Sequence, residues 1–253
     1  MTIAAGFHCN DGIVLCADTQ ETISGFIKGY DGKIITNFLG GDAVVAIAGS
    51  GTSDYIRTAR DKAVESLHGL KDLRAIRDKI ETNLISFFDV HMSRWSGFVE
   101  NERPTVELLI AVTTKHSGFG LFHWSGTSFH LTHRKAIGAG ILLANTLMQE
   151  YCIGNFTLDE LTSLAVFVVN KVKKHVDTCG GSTHMVLLKR DGDVGYPDDK
   201  LVKKLETEAE KLEAVSVKNL KKKIAGKRTL KITWLGPSIG APVIHEDVKV
   251  TKA

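Results

Sequence analysis

Residues 11–19 read DGIVLCADT, and this stretch defines the first structural unit of the chain. The Asp-Gly pair at its start favours a tight turn between two strands. The apolar run at 13–17 is typical of a buried strand, and the largely apolar residues 2–9 precede the turn. The chain is therefore predicted to open with a β-hairpin.

A second hairpin is predicted downstream. Residues 33–38 and 43–48 are two further apolar segments, separated by the turn sequence LGGD. The segment at 43–48 reads AVVAIA without a polar interruption, which indicates a strand that is buried on both faces.

Groups of predicted helices and groups of predicted strands alternate along the rest of this region. Apolar residues recur at helical spacing after the capping residues 52–54, and again from residue 70 or 73 to about 94. The remaining predicted elements are strands at 107–113, 118–124, 128–132 and 184–189, and helices at 141–151 and 157–176. This order favours an α+β fold with two sheets, each covered by a pair of helices.

The composition changes after residue 190. Residues 198–224 alternate Leu or Val with Lys and Glu at helical spacing, which predicts an amphipathic helix. Residues 229–235 have strand character. We therefore expect a domain at 1–190 and a C-terminal extension at 191–253, whose role the sequence leaves open.

The 253-residue chain is 43% hydrophobic and 24% charged, with a formal net charge of +3. So small an excess of positive charge does not favour nucleic acid or an anionic membrane as a partner. The four cysteines include no CxxC pair, and neither a metal site nor a cofactor is expected. No signal peptide or membrane-spanning segment is evident, so the cytoplasm is the expected location.

Thr2 is a candidate nucleophile. Removal of the initiator Met would leave a hydroxyl and a free α-amino group on one residue. An α-amino group has a pKa of about 7.7 to 8.0, so it can accept the hydroxyl proton near neutral pH as the oxygen attacks a carbonyl. The hypothesis therefore requires removal of Met1.

Several short segments, in this order and near this spacing, resemble those of proteasome β subunits and their bacterial ring-protease relatives. They are residues 2–6, 11–19, 33–34, 48–54, 137–140 and 177–182. The resemblance covers roughly residues 2–189. It implies the N-terminal-nucleophile (Ntn) hydrolase fold, a four-layer α/β/β/α sandwich.

The resemblance also implies catalytic roles. Thr2 would be the nucleophile and general base, and Lys33 would place a positive charge beside the α-amine and so lower its pKa. Asp18 would pair with Lys33. The N–H of Gly49 would stabilise the oxyanion, and Asp177 would orient the α-amine.

Substrate-binding positions are implied as well. Ile47 would form the floor of an apolar specificity pocket, Glu21 would lie near its rim, and the backbone of Thr22 would face an extended substrate. Gly51 is the alternative oxyanion donor, because this loop is one residue longer than is usual in the family.

The sequence departs from the family at two supporting serines. On our alignment they fall at Ile141 and Gly180, which weakens the expected proton relay.

The leading hypothesis is a threonine-type endopeptidase acting on peptides or unfolded protein, within a homo-oligomeric ring and with an unfolding ATPase as a possible partner. A non-catalytic scaffold subunit is the first alternative, although a scaffold has no need to keep Thr2, Asp18 and Lys33 together. An Ntn amidohydrolase acting on small amides is the second.

Overall fold

The computed structural model describes residues 2–23, 27–30, 32–95, 97, 103–224, 230–234 and 244–248. The helices are α1 (Ser53–Val64), α2 (Leu73–Phe87), α3 (Ile141–Tyr151), α4 (Leu158–His175) and α5 (Asp199–Ile224). The strands are β1 (Ile3–His8), β2 (Gly12–Asp18), β3 (Gln20–Ile23), β4 (Ile27–Tyr30), β5 (Ile34–Phe38), β6 (Ala43–Gly51), β7 (Val106–Thr114), β8 (Gly118–Ser125), β9 (Ser128–Thr132), β10 (Arg134–Gly138), β11 (Thr183–Lys189), β12 (Val194–Gly195), β13 (Leu230–Trp234) and β14 (Ile244–Val248).

Both predicted hairpins are present. Strands β1 and β2 pair antiparallel, and the Cys9 N–H donates to the Gly12 carbonyl at 2.9 Å to close their turn. They lie inside a sheet with the order β10-β1-β2-β11-β12, and β5 and β6 begin a second sheet with the order β5-β6-β7-β8-β9. All the pairings in these two sheets are antiparallel.

Three apolar clusters separate four layers. Leu15 belongs to the cluster between the two sheets, and its neighbour Val14 faces the cluster beneath α3 and α4. A third cluster lies beneath α1 and α2 and includes Ile76 and Ile80. Successive residues of a strand point to opposite faces, and both faces are covered, which explains why these strands carry continuous apolar runs. The α/β/β/α sandwich is confirmed.

The second helix ends earlier than its sequence pattern indicates. The α-helical geometry of α2 stops at Phe87, and one π-helical turn (Phe88–Met92) continues the same face. The predicted capping box before α4 is present, because Thr157 Oγ1 accepts the Glu160 N–H and Glu160 Oε2 accepts the Thr157 N–H. The β3–β4 hairpin was not predicted.

The chain divides into two compact units, residues 1–206 and 207–253. The start of α5 belongs to the first unit and packs on its core, where Val202 is buried. The domain boundary expected at residue 190 stays a prediction. The second unit contains the antiparallel pair β13–β14, the first strand of which matches the strand predicted at 229–235. No helix in the described part of the chain is long and apolar enough to cross a membrane.

Candidate active site

Thr2 lies at one end of the sandwich, where both sheets contribute strand termini. In the first sheet β1 begins there, next to the end of β2 at Asp18. In the second sheet β5 begins there, directly after Lys33. Thr2, Asp18 and Lys33 are all buried. The fold thus brings together three residues separated by up to 31 positions in the sequence.

Asp18 connects these residues. Its Oδ1 accepts hydrogen bonds from Lys33 Nζ at 2.7 Å and from the Ile3 N–H at 3.0 Å. Its Oδ2 accepts the Gly180 N–H at 2.9 Å. Because Lys33 Nζ and the Ile3 N–H both donate to Oδ1, the Lys33 ammonium lies within two hydrogen-bond lengths of the nitrogen of the Thr2–Ile3 peptide bond. A fully buried carboxylate with three donors is well compensated for the loss of water.

The loop before β11 supports Asp18. The Gln20 N–H donates to the Gly180 carbonyl at 3.0 Å, and Gln20 Nε2 donates to the Asp177 carbonyl at 3.4 Å. The Asp177 side chain itself is exposed, and among the described residues its carboxylate makes no hydrogen bond or ion pair. Its expected role in orienting the amine stays a prediction.

Cys179 is a second potential nucleophile at the site, which sequence reasoning did not single out. Burial, together with the nearby Asp18 carboxylate, raises the pKa of its thiol to about 11. A thiol with this pKa is protonated at neutral pH, and the thiolate is the reactive form. The raised pKa therefore makes Cys179 a poor nucleophile near neutral pH.

The other flank of Thr2 is formed by β10 and β6. The Ala139 N–H donates to the Thr2 carbonyl at 2.8 Å. Gly138 has a φ of +96°, and a Cβ there would lie 2.1 Å from the Thr2 carbonyl oxygen and 2.7 Å from Ser50 Oγ. Only glycine fits this position. Ser50 is a site neighbour that the sequence analysis missed, although it alternates with Ala48 on the face of β6 that points to the other sheet.

The two candidate oxyanion glycines differ in their surroundings. The β5–β6 ladder ends with Ile34 opposite Ala48. Gly49 follows Ala48 and Lys33 precedes Ile34 in this antiparallel pair, so the Gly49 backbone runs beside Lys33. Gly51 has a φ of +126°, and a Cβ there would lie 1.9 Å from the Thr105 carbonyl oxygen. Backbone packing alone therefore explains the glycine at 51.

The expected specificity residues are less well defined. Ile47 is fully buried in the cluster beneath α1 and α2. Glu21 and Thr22 lie in β3, where they pair with Gly29 and Lys28. Their side chains lie outside the described part. The pocket assignments for all three residues stay predictions.

The first turns of α5 also support the site. Lys173 Nζ donates to Glu206 Oε1 at 2.6 Å, to Thr183 Oγ1 at 2.8 Å and to the Gly181 carbonyl at 3.1 Å. Thr183 Oγ1 in turn donates to the same Glu206 oxygen at 2.7 Å. Helix α5 is thereby tied to the Gly180–Gly181 loop that holds Asp18.

We expect Glu206→Gln to lower the free energy of unfolding by about 2 kcal/mol, because it leaves the mostly buried Lys173 ammonium without its carboxylate. Glu65→Gln, the same change in the exposed Lys62–Glu65 pair, is the control and should leave the free energy of unfolding close to that of wild type. Urea unfolding followed by circular dichroism measures both. Equal effects of the two changes would contradict a structural role for the Glu206 contacts.

No group of three or more His, Cys, Asp or Glu side chains suited to a metal ion occurs among the described residues.

Comparison with known proteins places this geometry in context. No protein-family profile matches the sequence. The chain is 25% identical over 194 residues to a proteasome subunit beta of Methanosarcina thermophila, which covers 75% of this chain and 87% of that protein.

Solved structures of Anbu proteins share the fold. An Anbu (Gly-1) mutant from Hyphomicrobium sp. strain MC1 superposes with a TM-score of 0.71 at 14% identity, over 87% of this chain and 100% of that chain. The helical assembly of the Anbu complex from Pseudomonas aeruginosa gives 0.71 at 9% identity, over 89% and 98%. Anbu (ancestral beta-subunit) from Yersinia bercovieri gives 0.68 at 12% identity, over 91% and 99%. The chain has the fold of proteasome β-like subunits.

Proposed function

We propose that this chain is a threonine-type endopeptidase, which hydrolyses peptide bonds through an acyl-enzyme on Thr2 once Met1 has been removed. The observation that carries the proposal is the shared Asp18 oxygen, which accepts hydrogen bonds from both Lys33 Nζ and the Ile3 N–H. This arrangement holds a buried positive charge beside the residue that would carry both the nucleophile and the base.

The proposed first step is acylation. The free α-amine of Thr2 accepts the proton of its own hydroxyl, directly or through one water, as Oγ attacks the substrate carbonyl. The Lys33 ammonium lowers the pKa of the amine and so keeps a larger fraction of it basic at neutral pH. The N–H of Gly49 is the proposed donor to the oxyanion.

The following steps return the proton. The tetrahedral intermediate collapses, the α-ammonium gives its proton to the leaving amine, and the acyl group stays on Oγ as an ester. Water then attacks this ester with the α-amine as its base, which releases the acid product and restores the hydroxyl. Asp18 holds Lys33 in place throughout.

We further propose that the chain works as a homo-oligomer in the cytoplasm, on peptides or unfolded protein, with an unfolding ATPase as a possible partner. The helical assembly reported for one Anbu relative supports an oligomer. Exposed apolar side chains near α3, Leu142 at 81% and Ile153 at 75%, also support a covered surface. Native mass spectrometry at micromolar concentration tests this part, and a monomer that hydrolyses peptides would contradict the proposed homo-oligomer.

Intact-mass measurement with a peptide β-lactone tests the catalytic proposal. The purified chain should lack one methionine residue, and opening of the lactone by Thr2 Oγ should add the mass of the probe as an ester. Hydroxylamine should remove that ester. Retention of Met1, or labelling that persists in Thr2→Ala, would overturn the proposal.

A further inference from the structure

A cavity of about 630 Å³ opens beside Thr2, on the flank away from Lys33. In the first sheet β10 flanks β1 on the side opposite β2, and in the second sheet β7 flanks β6 on the side opposite β5. The ends of β6, β7, β8 and β10 line the cavity. Ala139, which donates to the Thr2 carbonyl, lies in its wall. The cavity therefore lies next to Gly138 and Ala139, the two residues that pack against the Thr2 carbonyl.

Among the described residues that line this cavity, Glu107 is the one that carries a charge. Met92, Pro104 and Val106 give the cavity an apolar part, and its hydroxyl residues are Ser50, Thr52, Thr105 and Ser125. A lining that combines apolar surface, hydroxyls and the Glu107 carboxylate suits a side chain that has a methylene stem and a cationic end.

Glu107 is fixed and remains partly open to solvent. Its side chain is 31% exposed, and its Oε1 lies 3.5 Å from Nε2 of the buried His123. Neither ring nitrogen of His123 makes a hydrogen bond within the described part of the chain. The pKa of the Glu107 carboxyl is held below its ordinary value in spite of burial. The contact with His123 is the main cause, and the positive charge of Lys135 and the Gly138 N–H add to it. The carboxylate is thus an anion at neutral pH.

We propose that this cavity is a substrate subsite for a basic side chain, lysine or arginine, adjacent to the cleaved bond, with the Glu107 carboxylate binding its charged end. The assignment as a substrate subsite rests on the proposed peptidase function. The cation site itself rests on the cavity and on Glu107. A carboxylate that is partly removed from water favours a guanidinium over a neutral group of the same shape.

Binding without turnover tests the cation site. We compare Nα-acetyl-arginine amide with Nα-acetyl-citrulline amide, its neutral near-isostere, by titration followed by NMR. The wild-type chain should bind the arginine compound at least about tenfold more tightly. In Glu107→Gln the two affinities should be nearly equal. Glu81→Gln is the matched control, because Glu81 is 33% exposed and pairs with Arg77 on α2.

Peptide hydrolysis tests the link to the proposed function. A peptide that carries arginine next to the cleaved bond, on either side, should have a higher kcat/KM than the same peptide with citrulline. Glu107→Gln should bring the ratio of these two kcat/KM values toward one. An arginine preference in binding without any hydrolysis would overturn the peptidase and keep the cation site. Equal affinity of the wild-type chain for both amides would overturn the cation site, whether or not Glu107→Gln folds.

Discussion

Replacing Thr2 with alanine should abolish peptide hydrolysis, with a loss in kcat of about 10⁴-fold or more, because the attacking oxygen is removed while the amine stays. The fold should remain, since the change deletes only a hydroxyl and a methyl group from a strand terminus whose backbone contacts to Ala139 and Asp18 are unaffected. Steady-state hydrolysis of peptides, together with circular dichroism, measures both effects.

Thr2→Ser is the matched control for this prediction. It keeps the oxygen and the α-amine and should retain part of the rate. If Thr2→Ala turns over every peptide at the wild-type rate, Thr2 is not the nucleophile.

Replacing Lys33 with alanine should lower kcat/KM by about three orders of magnitude. Without the Lys33 ammonium the pKa of the Thr2 α-amine rises, so less of the amine is basic at pH 7 and the rate increases only at higher pH. The fully buried Asp18 carboxylate also loses its cation, which should destabilise the fold by about 3 kcal/mol. The pH dependence of the rate separates the two effects, because lost stability alone does not shift the pH at which the rate rises.

Lys71→Ala is the control for Lys33. Lys71 Nζ lies 2.7 Å from an Asp42 oxygen, the same separation as in the Lys33–Asp18 pair, but its side chain is 64% exposed. An exposed pair contributes little to stability, so this variant should behave as wild type. A Lys33→Ala enzyme with an unchanged pH–rate profile would remove Lys33 from the mechanism.

The layers of the fold could be predicted from sequence because their causes are local. The Asp-Gly turn specifies the first hairpin, and the uninterrupted apolar runs of β2 and β6 require cover on both faces. The Thr157–Glu160 capping box identifies the start of α4 in the same way. The β3–β4 hairpin was missed because its segments are short and partly polar.

The candidate site was only partly predictable, because its contacts join distant segments. Thr2, Asp18 and Lys33 were found through the family resemblance, and the structure brings them together. Ser50 and Glu107 were not found, since a single serine or glutamate at a strand end has no distinctive local pattern. The register of β6 on β7 sets them opposite each other, and register is a tertiary property.

The burial of Thr2 has a consequence for the order of events during synthesis. Thr2 is 8% exposed, and its carbonyl is held by Ala139. Excision of Met1 requires an aminopeptidase to bind the backbone of Thr2, and in the folded chain Thr2 is buried. If Thr2 is the nucleophile, we therefore expect excision of Met1 to precede folding. Aminopeptidase added to folded protein that retains Met1 should then mature it faster after unfolding than before.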